Sequence, residues 1–141
     1  MGRYIKYNAN PDGKNVGDCT VRAISTALDQ SWEETYIGLA LQGFLMGDLP
    51  SANSVWGAYL RSKGFVRRIV PDTCPDCYNV SDFAEEHPDG TYILALSGHV
   101  VCVSGGNWID TWDSGGGVPL YYWCERKDES CLLYTSPSPR D

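Results

Sequence analysis

The sequence predicts an α+β domain in which N-terminal helices pack on a C-terminal antiparallel sheet. In residues 19–63, apolar side chains recur at helical spacing. In residues 91–123 they fall into short runs rich in β-branched and aromatic residues, separated by glycines that mark hairpins. Because helices and strands are grouped in separate parts of the chain, a two-layer α+β arrangement is favoured over alternating βαβ units.

The first predicted helix begins at Cys19. Asp18 can act as its N-cap, and Asp29 with Gln30 ends it. The apolar stripe of this helix consists of Val21, Ala23, Ile24, Ala27 and Leu28. The pattern therefore places the Cys19 thiol at the N-terminal end of an amphipathic helix.

Two further helices are predicted before the sheet. The second begins after Ser31, which forms a capping box with Glu34, and it runs to about Gln42 before a loop over 43–50. The third spans about 53–63 and is stopped by a glycine that can adopt the left-handed conformation. Its inward-facing residues are Val55, Trp56, Tyr59 and Leu60.

A short helix starting at Ser81 and a set of strands complete the predicted elements. The strands span 65–70, 91–96, 99–103, 107–111 and 118–123. No internal repeat or linker divides the chain, so residues 1–130 are expected to form a single domain.

The end of the chain differs from the rest in composition. Residues 131–141, CLLYTSPSPRD, resemble translated sequencing-adapter sequence, and we expect them to be a non-native tail. A natural disordered C-terminus is the alternative. Cys131 is therefore left out of the candidate site residues.

Composition and charge exclude several classes of function. The formal net charge is −7, and clustered Lys and Arg are scarce, with Arg67 and Arg68 forming one tight basic pair, so a nucleic-acid partner is not expected. The N-terminus has no apolar signal region, and no apolar run is long enough to span a membrane. We expect a cytoplasmic protein whose six cysteines are reduced thiols or site residues rather than a disulfide framework.

Three residues carry the chemistry that the sequence suggests. Cys19 lies at a helix start, where the helix dipole favours a thiolate, and His99 opens a predicted strand. Asp110 ends the next strand and can orient the imidazole; Asp113 is the alternative, although its glycine-rich surroundings favour a turn. His87 lies between acidic residues beside a proline and is interpreted as an exposed loop residue. A thiol, a base and an orienting carboxylate in this order are typical of cysteine nucleophile catalysis.

An oxyanion hole is the remaining requirement. Asn15, four residues before Cys19, could donate its side-chain amide, and the backbone N–H of Cys19 could be the second donor. Asn15 can equally be a turn residue in Asp-Gly-Lys-Asn.

The three blocks GDCTVRAIS, GHVVCV and IDTWDSG resemble those of papain-like cysteine peptidases. The cysteine block is also similar to that of ovarian-tumour deubiquitinases, and the histidine block to the peptidase domains of bacteriocin-exporting transporters. The overall likeness, over residues 4–125, is to small papain-like proteins of bacteria and phages. It implies a papain-like fold and hydrolysis of a peptide or isopeptide amide in a peptide or protein substrate, through a thioester and without a cofactor or metal. The oxyanion glutamine of the papain type is absent.

Other interpretations remain open from the sequence. An amine could resolve the thioester, which would make the protein an acyltransferase or a transglutaminase-like enzyme. A non-catalytic acidic binding module is a further alternative. Cys74 and Cys77 could form half of a zinc site with Cys124 or His87, but a structural turn is favoured because no second CxxC pair exists.

Overall fold

The computed structural model describes residues 2–14, 16–70 and 78–126. Within these ranges the chain forms four helices and six strands. In chain order they are β1 (Tyr4–Lys6), α1 (Cys19–Leu28), α2 (Trp32–Met46), α3 (Asn53–Ser62), β2 (Phe65–Ile69), α4 (Val80–Glu86), β3 (Thr91–Leu96), β4 (His99–Ser104), β5 (Asn107–Asp110) and β6 (Tyr121–Glu125).

The strands form one mixed sheet in the order β1-β5-β4-β3-β6-β2. All neighbours are antiparallel except β1 and β5, which pair in parallel from Tyr4 opposite Trp108 to Lys6 opposite Asp110. The predicted α+β class is therefore confirmed, and the predicted strands pair antiparallel, but the unpredicted strand β1 adds a parallel pair that makes the sheet mixed. The missed strand β1 is only three residues long and depends on a partner about a hundred residues away, so no local pattern reveals it.

Helix α1 begins at Cys19 as predicted, but Asp18 does not cap it with its side chain. The Asp18 carboxylate instead binds the guanidinium of Arg22 one turn later and accepts a hydrogen bond from Trp32 Nε1 at 2.9 Å. Asp29 ends the helix in the left-handed conformation, with φ of 54°. The acidic residue before the helix thus ties it to α2 rather than satisfying its first N–H groups.

Helix α2 is longer than predicted, since it continues into the expected loop over 43–50 and ends at Met46. Ser31 Oγ accepts a hydrogen bond from the backbone N–H of Glu34 at 3.0 Å, as its N-cap role requires. Gly43 does not end the helix. A Cβ on Gly43 would lie 2.7 Å from the carbonyl oxygen of Asp48, so the glycine allows the next loop to pack against the helix.

The two faces of the sheet carry separate apolar clusters, because alternate residues of each strand point to opposite sides. In β3, Ile93 and Ala95 pack with α1 to α3, whereas Tyr92 and Leu94 pack on the face that α4 covers. The predicted inward residues of α3 are all buried.

Two cysteines occupy interior positions of the sheet. Cys102 in β4 and Cys124 in β6 are completely buried. Cys19 and Cys102 are free thiols, but Cys124 is disulfide-bonded, so the expectation of reduced thiols is wrong at Cys124.

The edges of the later elements differ slightly from the prediction. Strand β6 begins at Tyr121 rather than at Val118, because the segment before it contains Pro119, which has no N–H for the ladder.

No helix within the described ranges combines the length and apolar character needed to cross a bilayer. The Cys-Pro-Asp-Cys segment at 74–77 and the tail at 131–141 lie outside the described residues.

Candidate active site

The Cys19 side chain lies at the N-terminal end of α1, where this helix packs against β4. Its sulfur is partly buried and lies beside the His99 ring and the backbone of Val100, and both interactions lower the pKa of the thiol. The first N–H groups of a helix have no acceptor within the helix, so they also present positive charge to the sulfur. The local structure therefore favours an anion at this position.

His99 and Asp110 meet because β4 and β5 are antiparallel neighbours. His99 opens β4 and Asp110 closes β5, so both lie at the same end of the sheet. The register pairs Cys102 with Ile109, which makes His99 and Asp110 diagonal neighbours on one face. His99 Nε2 donates a hydrogen bond to Asp110 Oδ2 at 2.6 Å. Since Nε2 is occupied, Nδ1 is the ring nitrogen available to the Cys19 thiol.

The electrostatics of this pair favour a thiolate beside an imidazolium. Burial opposes both charges, but it is outweighed at each residue. For Cys19, hydrogen bonds from His99 and Val100, together with the positive charges of His99 and Arg22, hold the pKa below its usual value. For His99, the hydrogen bonds and negative charges of Asp110 and Cys19 raise the pKa to about 9. Both shifts favour the charged pair over the neutral thiol and imidazole.

Asp110 is itself fixed by several donors. Ser114 Oγ donates to Asp110 Oδ2 at 2.8 Å, and the backbone N–H of Thr111 donates to Oδ1 at 2.8 Å. Burial of the carboxylate raises its pKa, but these hydrogen bonds and that from His99 outweigh burial, so the pKa lies below the usual value. Asp110 thus stays ionised while it orients the ring. Asp113 instead accepts hydrogen bonds from Trp108 Nε1 and Gly115 N–H, which is the turn role expected of it.

A buried charge network behind the site was not predicted. Arg22 binds the Asp18 carboxylate on its own helix and lies with Nη2 3.8 Å from Asp110 Oδ1. Asp18 is held in turn by Asn10 Nδ2 at 3.2 Å and by Trp32. Arg22 therefore links the helix that carries the thiol to the carboxylate that orients the base. The i,i+4 spacing of Asp18 and Arg22 is the sequence signal that could have revealed this pair.

The reacting groups border an open cleft of about 380 Å³. The centroid of the Trp112 indole lies 4.9 Å from that of the His99 ring, and Trp112 is 53% exposed. Cleft residues from several elements are Gly17, Thr20, Ser51, Asn53, Trp56, Leu96, Gly98, Leu120 and Tyr121. Sulfur and imidazole are thus accessible to a ligand in the cleft.

The predicted oxyanion residue Asn15 lies outside the described residues. Asn53, which the sequence did not single out, presents an amide to the same cleft. Its Oδ1 accepts a hydrogen bond from Trp56 Nε1 at 3.0 Å, which leaves the Nδ2 hydrogens for a ligand. The sequence signal for this amide donor is the spacing of Asn53 and Trp56, since residues three apart lie on the same face of a helix.

His87 contacts a different set of residues from those of the candidate site. It is partly buried rather than exposed, stacks on Phe83 at 3.9 Å and donates Nδ1–H to the Phe83 carbonyl oxygen at 2.8 Å. The expectation of an exposed loop residue is therefore wrong, because the C-terminal end of α4 holds the ring among aromatic side chains. Within the part of the chain that is described, no three His, Cys, Asp or Glu side chains form a metal-binding group.

The fold and the site define an α+β protein with a thiol, an imidazole and a carboxylate connected in series beside a cleft. Comparisons with protein-family models, with curated proteins and with solved structures give no match for this chain.

Proposed function

We propose that the protein is a cysteine peptidase or isopeptidase with Cys19 as nucleophile, His99 as acid and base, and Asp110 as orienting residue. The observation that carries this proposal is the continuous contact from the thiol through the imidazole to the buried carboxylate. A merely structural cysteine would not need a charged partner, a helix start and an open cleft together.

The geometry supports a two-step mechanism. The Cys19 thiolate attacks the carbonyl carbon of an amide, and the His99 imidazolium gives its proton to the departing amine as the C–N bond breaks. Water then attacks the thioester, His99 accepts its proton, and the C–S bond breaks to release the acid and restore the thiolate–imidazolium pair. The backbone N–H of Cys19 is one proposed donor to the oxyanion, and Asn15 is the other.

The resemblance to papain-like peptidases agrees with this arrangement. A cysteine that begins a helix, a histidine that begins a strand and an acidic residue on the neighbouring strand occur here in the order implied by the sequence blocks. In papain-type enzymes an Asn-Ser-Trp triplet carries the orienting residue and a shielding indole, and Asp110-Thr111-Trp112 resembles it, with Trp112 beside His99. The proposed substrate is a peptide or protein in the cytoplasm of a bacterium or of a phage-infected cell.

Thiol labelling tests the proposed function directly. A peptidyl electrophile such as an acyloxymethyl ketone is expected to label Cys19 first, with mass spectrometry locating the adduct. Cys102 is an internal control, because burial raises its pKa to about 12. His99→Ala should suppress the labelling of Cys19 at pH 6 to 7, since the thiolate then loses its cationic partner. Labelling of Cys19 that is unchanged in His99→Ala would refute the proposed pair.

A further inference from the structure

The cleft at Cys19 continues into a second depression along α3. This depression has a volume of about 460 Å³ and shares two wall residues, Asn53 and Tyr121, with the cleft. It extends past Gly57 and Ala58 of α3 to residues of β2 and β6, namely Arg67, Tyr121 and Trp123. Because the two depressions share these residues, they are adjacent, and an extended chain bound at Cys19 can reach the second one.

Two arginines line the far part of this depression. The Arg67 guanidinium carbon lies 4.1 Å from the centroid of the Tyr121 ring, and that of Arg61 lies 5.1 Å from the Trp123 ring. Stacking on aromatic faces holds each guanidinium in place while its N–H groups remain at the edge. Arg61 and Arg67 are both exposed, and neither forms an ion pair with any described residue.

The wall of the depression offers donors without a matching acidic acceptor. None of its described lining residues is Asp or Glu. Asn53 supplies the amide hydrogens described above, and the two guanidinium groups supply the other donors. In a chain with 18 acidic and 11 basic residues, two unpaired arginines in one depression are a local exception to the overall charge.

We propose that this depression, the arginine groove of Asn53, Arg61, Arg67, Tyr121 and Trp123, binds an acidic side chain of the substrate polypeptide. The inference rests on the proposed peptidase function and adds a substrate class to it, namely chains with Asp or Glu a few residues from the bond that Cys19 attacks. A planar guanidinium matches a carboxylate in two parallel hydrogen bonds, which favours an acidic residue over a neutral one.

The negative net charge of the protein does not prevent such a selection. At physiological salt, charges more than about 8 Å away are largely screened, so the two arginines dominate the field inside the groove. The overall charge of −7 instead disfavours highly acidic partners that do not reach the groove. The inference therefore predicts a preference for one acidic residue at a fixed position rather than for a generally acidic chain.

Binding to the Cys19→Ala variant tests the groove separately from catalysis. Two fluorescent octapeptide pools, identical except for Glu or Gln at one fixed position, are compared by anisotropy while that position is moved along the peptide. At one position the Glu pool should bind about tenfold more tightly, and the difference should shrink at high salt. Equal affinity of the Glu and Gln pools at every position would overturn the inference.

Variants of the groove provide the controls. Arg61→Gln with Arg67→Gln should remove the preference for Glu, and Arg61→Glu with Arg67→Glu should transfer it to Lys. Arg3→Gln is the control for charge, because it lowers the net charge by as much as Arg61→Gln or Arg67→Gln alone. Arg3 lies beside β1, at the opposite edge of the sheet. A preference that survives loss of both groove arginines would contradict the assignment. Selective labelling of Cys19 without any preference for Glu would leave the peptidase proposal standing and refute the groove alone.

Discussion

The two histidines of this chain have similar surroundings and different partners. Both rings are partly buried, both lie against an aromatic ring, and both border a depression, of about 380 Å³ at His99 and about 300 Å³ at His87. His99 bonds a carboxylate and a thiol, whereas His87 bonds the backbone carbonyl oxygen of Phe83. Burial, aromatic contact and an adjacent cavity therefore do not distinguish a candidate catalytic histidine from a packing one.

What distinguishes them is the charge of the groups they contact. A carbonyl oxygen fixes the tautomer of His87 but supplies no full charge. The Asp110 carboxylate and the Cys19 sulfur raise the pKa of His99 to about 9, so the ring is a cation at neutral pH and can deliver a proton. The comparison shows that a base is recognised by its ionic partners rather than by its environment in general.

The largest contrast is expected when each histidine is removed in turn. His99→Ala should lower kcat/KM for a cleavable peptide by about 10⁴ or more, because the thiolate partner and the proton donor are both lost. His87→Ala should leave kcat/KM within about threefold and instead lower the free energy of unfolding by about 1 to 2 kcal/mol, because its stacking on Phe83 is lost.

Turnover and urea denaturation measured on the same samples separate these effects. Each variant is expected to change one quantity and spare the other. A His87→Ala protein that is as stable as the parent but inactive would reverse the assignment of the two histidines.

An intermediate effect is expected at the carboxylates of β5 and the following turn. Asp110→Asn keeps a hydrogen-bond acceptor for His99 but removes the charge that raises its pKa. The active pair requires protonated His99, so activity is lost as pH rises through the His99 pKa, and this alkaline limb should move to lower pH in Asp110→Asn. Asp110→Ala also loses the orienting bond and should lower kcat by about 10² to 10³.

Asp113→Asn is the matched control for the pH profile. Asp113 bonds Trp108 and Gly115 rather than His99, so its substitution should leave the alkaline limb unchanged. A shift of equal size in both variants would mean that general charge, and not the bond to His99, sets the profile.

Much of the local structure could be predicted from the sequence, because it depends on neighbouring residues. Cys19 begins α1, and β3 spans Thr91–Leu96, as the apolar patterns indicate. The proximity of His99 and Asp110 also follows from local information, since a hairpin places the start of one strand beside the end of the next. Their catalytic roles stay predictions.

The features that escaped prediction depend on contacts between distant segments. Strand β1 exists because it pairs with β5, about a hundred residues later in the chain. The Asp18 carboxylate binds Arg22 and Trp32 instead of capping α1. That Arg22 also lies near Asp110 becomes visible only in the folded structure. Asn15, the expected oxyanion donor, lies outside the described residues and stays a prediction.

The smallest effect, and the sharpest test of the contrast between the two histidines, is expected at Arg22. Arg22 lies 3.8 Å from Asp110, the carboxylate that binds His99, and its positive charge lowers the pKa of Cys19. His87, which binds a backbone carbonyl oxygen, has no such charged partner among the described residues. Arg22→Gln should reduce kcat about tenfold with little change in KM, and the pH at which Cys19 is half-alkylated by iodoacetamide should rise.

Arg22→Lys should restore most of the alkylation profile, since it returns the charge, although a lysine cannot bind both carboxylates as a planar guanidinium does. A purely structural role for Arg22 would destabilise the fold and leave that profile where it was, because loss of stability alone does not change the ionisation of a folded site. A raised alkylation midpoint in Arg22→Gln that Arg22→Lys reverses would instead identify Arg22 as a positioning residue. The difference between the two histidines would then extend beyond their direct contacts to the charges behind them.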